Sequence, residues 1–585
     1  MPDRPLLIYD GNCGFCKRWV DYGRQITRDR VRYAPASEVA SEFPQIPPEA
    51  FERSVQVVLP NGEVLQGARA VFETLRLASG LGWLAWVYHH VPGFAPVSEA
   101  AYRFIAAHRP LFDRLTTILF GSKLIAPTWQ RVEWLFLRLL AAIYLAAFLS
   151  FGVQAAGLIG SHGILPMGRY LDAVRASLGT AGYWTVPTLF WLDHSDRALI
   201  AVCAAGAIVA VLLMLGFVQR TALAALFVLY LSLCAVGQDF LGFQWDYLLL
   251  ETGFLAIFLG QSKITVWLFR WLLFRLLFLS GYVKLASHDA AWRGLSAMSF
   301  HYQTQPLPTP IAWYAQQLPA WFQQASTGMV FFLELAIPFL AFAPRRLRLW
   351  GAGCILALQI LILFTGNYAF FNLLAIALCL FLLDDEALRW VRPWRPMKRI
   401  HRAPVAAAAV AVISLSVLEL SGMFFESPAP AVVRFAAPFG IVNTYGLFAV
   451  MTTTRPEIIV QGSSDGETWL DYKFPYKPGN LKRGPRWVAP HQPRLDWQMW
   501  FAALSNWRAS PWFVNFMVRL LEGSPEVLRL LDHNPFPAAP PKFVRAVIYE
   551  YSFTTFAERR ATAQYWKREL KGEYLRPITL ADIEK

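Results

Sequence analysis

Cysteine is scarce in this chain, with six among 585 residues. That is too few to staple a secreted scaffold of this length, and only Cys13 and Cys16 are close neighbours, so any redox chemistry rests on that pair. Charge is scarce too, at 16% of residues against 56% hydrophobic. This balance excludes an ordinary soluble chain and points to a membrane protein. No charged-then-apolar leader opens the sequence, because the LLIY run falls short of the roughly seven apolar residues that a signal-peptide core needs. The first domain is therefore expected to stay in the cytoplasm. Low-complexity tracts and clear internal repeats are missing as well. The formal charge of +14 comes from basic residues scattered between apolar runs or mixed with acids, with no basic stripe interleaved with stacking aromatics. A nucleic-acid partner is excluded on that ground.

What the sequence does hold is apolar runs near the length of a membrane span, which is roughly 20 residues. We read nine, at about 134–158, 198–218, 220–238, 243–260, 264–285, 327–343, 349–366, 368–383 and 404–422. The fold class expected is a polytopic α-helical membrane protein of about nine spans, flanked by an N-terminal α/β domain and a C-terminal α+β domain. Lys and Arg accumulate on cytoplasmic connections. PRRLR after the sixth run, DDEALRWVRPWRPMKRIHR after the eighth, Arg220 and Lys263 all fall on the side of the N-terminus. GQDFLG and TGNYA, on the other side, carry no Lys or Arg. The N-terminus is thus expected in the cytoplasm and the C-terminus in a periplasm or organelle lumen, a bacterial inner membrane being the expected membrane.

The connection from 286 to 326 holds HYQTQPLPTPIAWYAQQLP, whose prolines favour turns over a continuing helix, and is expected to form a structured cap. In the tail, RPEIIVQGSSDGETWLDYKF has two β-favouring runs around an Asp-Gly, a hairpin signal. RAVIYEYSFT is a further strand, and DWQMWFAALSNW and WFVNFMVRLLEGSPEVLRLL read as amphipathic helices.

At the front, LLIYD reads as a buried strand and CKRWVDYGRQI as a helix, with Phe15, Trp19, Tyr22 and Ile26 at helical spacing on one side. The two cysteines then lie at the strand-to-helix turn. Unpaired N–H groups at a helix start stabilise a thiolate, and Lys17 and Arg18 add to this, so Cys13 is expected as nucleophile and Cys16 as resolving thiol. Half a zinc site, or two incidental cysteines, are the alternatives. No second ligand pair follows, and His89, His90 and His108 are dispersed, so neither metal nor resident cofactor is expected.

YDGNCGFC, followed by QVVLPNGEVLQGARAVFETLRL and AYRFIAAHR, resembles the DCC family of thiol–disulfide oxidoreductases. The resemblance implies a thioredoxin-like domain over 1–125, a redox pair at Cys13 and Cys16, a turn shaped by Asp10 and Gly11, and a thiol redox partner. QWDYLLLETGFLAIFLG, FRLLFLSGYVKLASHDAAWRGLSAMSFHYQTQPLPTPIAWYAQQLP and DYKFPYKPGNLKRGPRWVAPHQPRLDWQMWFAAL resemble the lipase maturation factor family. That likeness implies a transmembrane domain over 132–425, an exterior α+β domain over 440–585, and a folding factor whose exterior parts meet a secreted client, a lipase in the first instance, beside membrane lipid. In animals the family is membrane-bound in the endoplasmic reticulum without the cysteine domain, so this chain looks like a fusion.

SGYVKLASHDAAWRGLSAM is also similar to vitamin K-dependent carboxylases, in which a lysine deprotonates a hydroquinone. Lys284 takes that place, and partial burial would suit it to base catalysis. The alternative is a lysine snorkelling at the membrane edge. Arg138, Glu251, Arg270, Arg275, Glu334 and Glu419 fall inside apolar runs, where charge marks a site or an interhelical pair such as Glu251 with Arg275. His491, Asp496 and Glu522 form no recognisable triad, and His491 reads as a packing residue. Cys203 and Cys234 near the exterior face, with Cys354 and Cys379 near the cytoplasmic one, leave a thiol relay conceivable beside simple packing. The leading expectation is a maturation factor fused to a cytosolic oxidoreductase domain; the alternative is a membrane redox or quinone-linked enzyme. A transporter is disfavoured by the lack of repeated halves.

Overall fold

A computed structural model describes residues 2–78 and 80–582. The chain divides into two compact units, Met1–Thr128 with Ala343–Trp350, and Trp129–Phe342 with Gly351–Lys585.

The first unit is built on four short strands, β1 (Leu6–Tyr9), β2 (Arg32–Pro35), β3 (Gln56–Val58) and β4 (Val64–Gln66), with helix α1 (Gly14–Thr27) between β1 and β2. The sheet order is β2-β1-β3-β4, with β1 parallel to β2 and the other pairs antiparallel. β1 is buried on both faces, as its unbroken apolar LLIY run requires. Side chains alternate along a strand. Leu6 and Ile8 therefore meet Phe51 and Val58 on one face, while Leu7 and Tyr9 meet Val20, Val57 and Ala70 on the other. Four helices follow, α2 (Gly67–Arg76), α3 (Gly82–His90), α4 (Phe94–Ala107) and α5 (Arg109–Phe120).

The second unit opens with a helical bundle. Its main helices are α6 (Gln130–Gly152), α7 (Asp196–Met214), α8 (Gln219–Val236), α9 (Gln244–Ile257), α10 (Lys263–Ala286), α11 (Ala320–Phe331), α12 (Arg345–Thr365, which belongs to this unit from Gly351 on), α13 (Phe371–Cys379) and α14 (Arg402–Phe425). Among the described residues seven helices are long and apolar enough to cross a membrane, with α11 continuing through tighter and wider turns to Phe342. About nine spans are expected; the runs at 243–260 and 368–383 form the shorter helices α9, of 14 residues, and α13, of 9. Fourteen residues rise about 21 Å, short of a hydrocarbon core of about 30 Å. A short apolar run cannot distinguish a span from a helix buried within protein. α9 is enclosed by protein, with ten of its residues buried.

Hydrogen bonds sort the connections of the bundle into two sets. In one, Glu133 accepts from the Gln261 N–H at 2.9 Å, Arg220 donates to the Ile257, Leu259 and Lys398 carbonyls, and the Trp129 indole donates to the Leu383 carbonyl. In the other, Gln154 donates to the Gln492 carbonyl, Arg494 to that of Phe240, and Asn367 to that of Arg486. The stretch from 286 to 326 is structured, holding the short helices Ala290–Arg293, Ala297–Thr304 and Pro310–Gln316.

The C-terminal segment is α+β, with β5 (Pro456–Ser463), β6 (Leu470–Asp471), α15 (Arg494–Ala503), α16 (Pro511–Leu521), β7 (Phe543–Phe553) and β8 (Trp566–Ile578). Its antiparallel sheet runs β6-β5-β7-β8. The expected hairpin is β5–β6. Its turn is closed by Asp465 Oδ1, which accepts from the Glu467 and Thr468 N–H groups, and by Gly466 at φ +83°. α16 is amphipathic, but α15 is not. Arg494 to Trp500, Ala502 and Ala503 are all buried, because its polar side chains are paired inside the protein. β8 has no counterpart in the sequence reading, as its exposed Lys567–Lys571 stretch hides the strand period.

Candidate functional site

The cysteine pair sits where β1 hands over to α1. Asp10 begins the turn, accepting from the Asn12 N–H at 2.8 Å, while its carbonyl accepts from the Cys13 N–H at 3.3 Å. Arg109 holds the other Asp10 oxygen at 3.4 Å and donates to the Glu52 and Arg53 carbonyls. Gly11 has a steric reason, since a Cβ there would meet the Pro35 Cβ at 3.0 Å. Cys13 is the N-cap of α1 in extended backbone conformation, and its sulfur accepts from the Cys16 N–H at 3.1 Å. One helical turn separates the two residues, so Cys16 reaches back, and the pair is joined as a disulfide.

A sulfur in the N-cap position faces the positive end of the helix dipole and an otherwise unpaired N–H. Of the two basic neighbours, Lys17 is exposed, whereas Arg18 is turned toward α5, ion-paired with Asp113 at 3.3 Å and donating to Thr117. Phe15, Trp19 and Tyr22 form an edge-to-face ladder along the outer side of α1, with ring centroids 6.3 and 6.0 Å apart. The core side is carried instead by Cys16, Val20 and Thr27.

Lys284 belongs to the other unit and lies in the last turn of α10. It does not snorkel. The residue is 4% exposed, and its ammonium donates to Glu334 Oε2 at 2.7 Å and to the Ser280 carbonyl at 3.0 Å. Trp292 lies across it, with its ring centre 5.3 Å from Nζ. Glu334 stands in a five-residue π turn, Phe332–Ala336. Four residues on, Pro338 lacks the N–H that would have bonded the Glu334 carbonyl, so a regular α-helix cannot continue there. Gly281 lets the helices approach, because a Cβ on it would meet Leu335 at 2.8 Å and the Glu334 Cβ at 3.0 Å. His301 lies nearby, against Phe448 and within 3.4 Å of the Tyr368 hydroxyl. Burial, and next the charge of Lys284, push its pKa down to about 4. The sequence reading singled out Lys284 and Glu334 but not their pairing, and missed His301. The signal that was available is Pro338 one turn after an intramembrane Glu.

The expected Glu251–Arg275 pair is present, and Glu251 also accepts from the Tyr445 hydroxyl at 2.8 Å and from Asn443. Arg138 stacks on Trp134 and donates to the Trp394 carbonyl, and Arg270 donates to the Phe381 carbonyl. Among the described residues, one Glu419 carboxylate oxygen is buried without a hydrogen bond. His491 is a packing residue bonded to Ser150 Oγ at 2.9 Å. Asp496 is buried, accepting from the Tyr476 and Lys477 N–H groups, and burial pushes its pKa up to about 6. Glu522 pairs with Arg519. Cys203, Cys234, Cys354 and Cys379 are free thiols.

Comparison with known proteins places these features. The profile of the lipase maturation factor transmembrane domain matches residues 131–390, and that of the lipase maturation factor C-terminal domain matches residues 441–576. The profile of DCC1-like thiol-disulfide oxidoreductase matches residues 7–115. Lipase maturation factor 2 of Gallus gallus is 37% identical over 590 residues, covering 77% of this chain and 82% of its own. The Homo sapiens protein of that name is 34% identical, over 77% and 82%. Lipase maturation factor 1 of Bos taurus is 34% identical over 79% of this chain and 91% of its own. These relatives are vertebrate proteins, which runs against the expectation of a bacterial inner membrane. No solved structure matches. With both family domains matched in order, and relatives aligned over more than four fifths of their own length, the chain is an integral membrane protein of the lipase maturation factor family.

Proposed function

We propose that this protein is a membrane-bound maturation factor for secreted proteins, lipases first among them, carrying a cytosolic thiol–disulfide oxidoreductase domain. The lipase reading comes from the names of the relatives. The redox reading is carried by one observation, the Cys13 sulfur in the N-cap of α1, bonded by the Cys16 N–H and joined to Cys16. In this reading Cys13 is the nucleophile and Cys16 resolves the mixed disulfide. The strand order β2-β1-β3-β4, with the pair at the end of β1, supports a thioredoxin-like fold for 1–125. The functional division continues as 132–425 in the membrane and 440–585 outside.

α9 and α13 also run between the two sets of connections, which supports nine crossings with two of them short and protein-enclosed. The set holding Arg220, Lys263 and the Arg-rich 389–402 stretch is the cytosolic one by charge. The set that meets the C-terminal segment is then exterior. Co-expression with a secreted lipase tests maturation: deleting the factor should lower the active enzyme secreted, and unchanged secretion across several lipases would remove the reading.

A second reading, a membrane enzyme with Lys284 as base, is favoured by the burial of Lys284 beside Glu334 and His301. Both polar contacts of the Lys284 nitrogen go to protein groups, Glu334 and the Ser280 carbonyl, which already satisfy it, so the structural role stands first.

A further inference from the structure

A groove runs along one face of α1, starting at Gly14 beside the cysteine pair and reaching Gln25 near the end of the helix. Gly14, Lys17, Asp21 and Gln25 recur at three- or four-residue steps and so share that face. The opposite wall is the segment after α5, and it is fixed in place. Gln25 donates to the Leu124 carbonyl at 3.0 Å and accepts from the Ala126 N–H at 2.9 Å. The groove is open along one side and holds about 390 Å³. That is within the range of a small-molecule site and far too little for a folded protein.

The charges of the groove are unbalanced. Arg18 is taken by Asp113 and Asp21 by Arg24. Lys17 on the helix and Lys123 on the facing wall are both exposed and lining, and among the described residues neither ammonium has a hydrogen bond or ion pair. Two uncommitted cations thus face a cavity that opens beside a disulfide.

We propose that this groove receives a small thiol bearing carboxylates, which reduces the Cys13–Cys16 disulfide. The inference rests on the redox reading above and adds to it the reductant's class and binding site. The carboxylates sit between Lys17 and Lys123, and the thiol end points toward Gly14. The ligand thiolate attacks the Cys13 sulfur, a new S–S bond forms, and Cys16 leaves as thiolate and takes a proton. A second molecule of the same thiol, as thiolate, attacks the ligand sulfur and releases Cys13, which is protonated in turn. Two ligand thiols are oxidised to one disulfide, and two electrons reduce the pair.

The test uses the full-length oxidised protein in detergent and compares reduction by glutathione, which carries carboxylates, with reduction by dithiothreitol, which carries none. Taking the ratio of the two rates cancels any effect of a lysine on the sulfurs themselves. In Lys17→Glu with Lys123→Glu the glutathione-to-dithiothreitol ratio should fall about tenfold, and each single variant should lower it partway. An unchanged ratio, including a parallel fall in both rates, overturns the groove as the site while leaving the redox reading standing. Failure of dithiothreitol to reduce the wild-type pair overturns that reading and the groove with it.

Discussion

Arg494 of α15 grips Asp246 of α9 with both terminal nitrogens, at 2.9 and 2.8 Å, although 248 residues separate them in sequence. Both are buried, and the Tyr230 hydroxyl donates to the same carboxylate at 2.6 Å. This contact joins the C-terminal segment to the bundle, and Arg455 adds to it, bonded to the carbonyls of Gln303, Gln305 and Pro306. A buried charge that loses its partner costs about 3–5 kcal/mol, whereas replacing both partners by apolar groups is often near neutral. Arg494→Met alone should therefore lower stability by about that amount. Asp246→Leu with Arg494→Met should recover a large part of the loss, as read from thermal unfolding in detergent.

The Lys284–Glu334 pair gives the same pattern with a functional consequence. Lys284→Met should destabilise the protein and lower the secretion of active client, and Lys284→Met with Glu334→Met should restore both. If Lys284 were a base, the double variant would recover stability and not activity, so the two readouts separate the structural from the catalytic role.

Two groups outside the long spans, one half-buried and one buried, tilt the pH dependence in opposite directions. His301 is held near 4, below its ordinary 6.5, by burial and Lys284, so the unfolded chain takes up a proton there that the folded one refuses. Its contribution is complete above 6.5 and lost as pH falls toward 4. Asp496 is raised from 3.8 to about 6 by burial, so its contribution is complete below 3.8 and lost as pH rises through 6. Relative to wild type, His301→Gln should make stability fall more steeply as pH rises from 4 to 6, and Asp496→Asn should make it rise more steeply. Both changes are read from unfolding temperatures across that range.

How far the sequence spoke depended on the range of the interaction. The turn at Cys13, the β5–β6 hairpin and the Glu251–Arg275 pair rest on local spacing or on a simple count of charges in apolar runs, and all were legible. α9 and α13 were not legible as short helices, because an apolar run looks alike whether lipid or protein surrounds it. α15 failed for the converse reason. An amphipathic helix is what DWQMWFAALSNW suggests locally, and only partners far along the chain, Asp246 and the Tyr476–Lys477 backbone, turn Arg494 and Asp496 inward.

Thiol reactivity should follow the cap geometry. After reduction, Cys13 gains the helix-start N–H groups and Cys16 does not, so alkylation at neutral pH should modify Cys13 first. Asp10→Ala, which removes the acceptor of the Asn12 N–H and the partner of Arg109, should loosen the turn and slow that reaction several-fold. Mass spectrometry of the labelled peptide measures both.

Trapping on the resolving-cysteine variant tests the redox role most directly. In Cys16→Ala, a partner attacked by Cys13 cannot be released by the second thiol. The result expected is a covalent adduct on Cys13, removed by dithiothreitol, absent from Cys13→Ala with Cys16→Ala, and formed with cytosolic rather than secreted thiols. No adduct on Cys13, or an equal adduct in the double variant, would contradict a thiol–disulfide role for the pair, and an adduct with a secreted protein would contradict its placement in the cytosol.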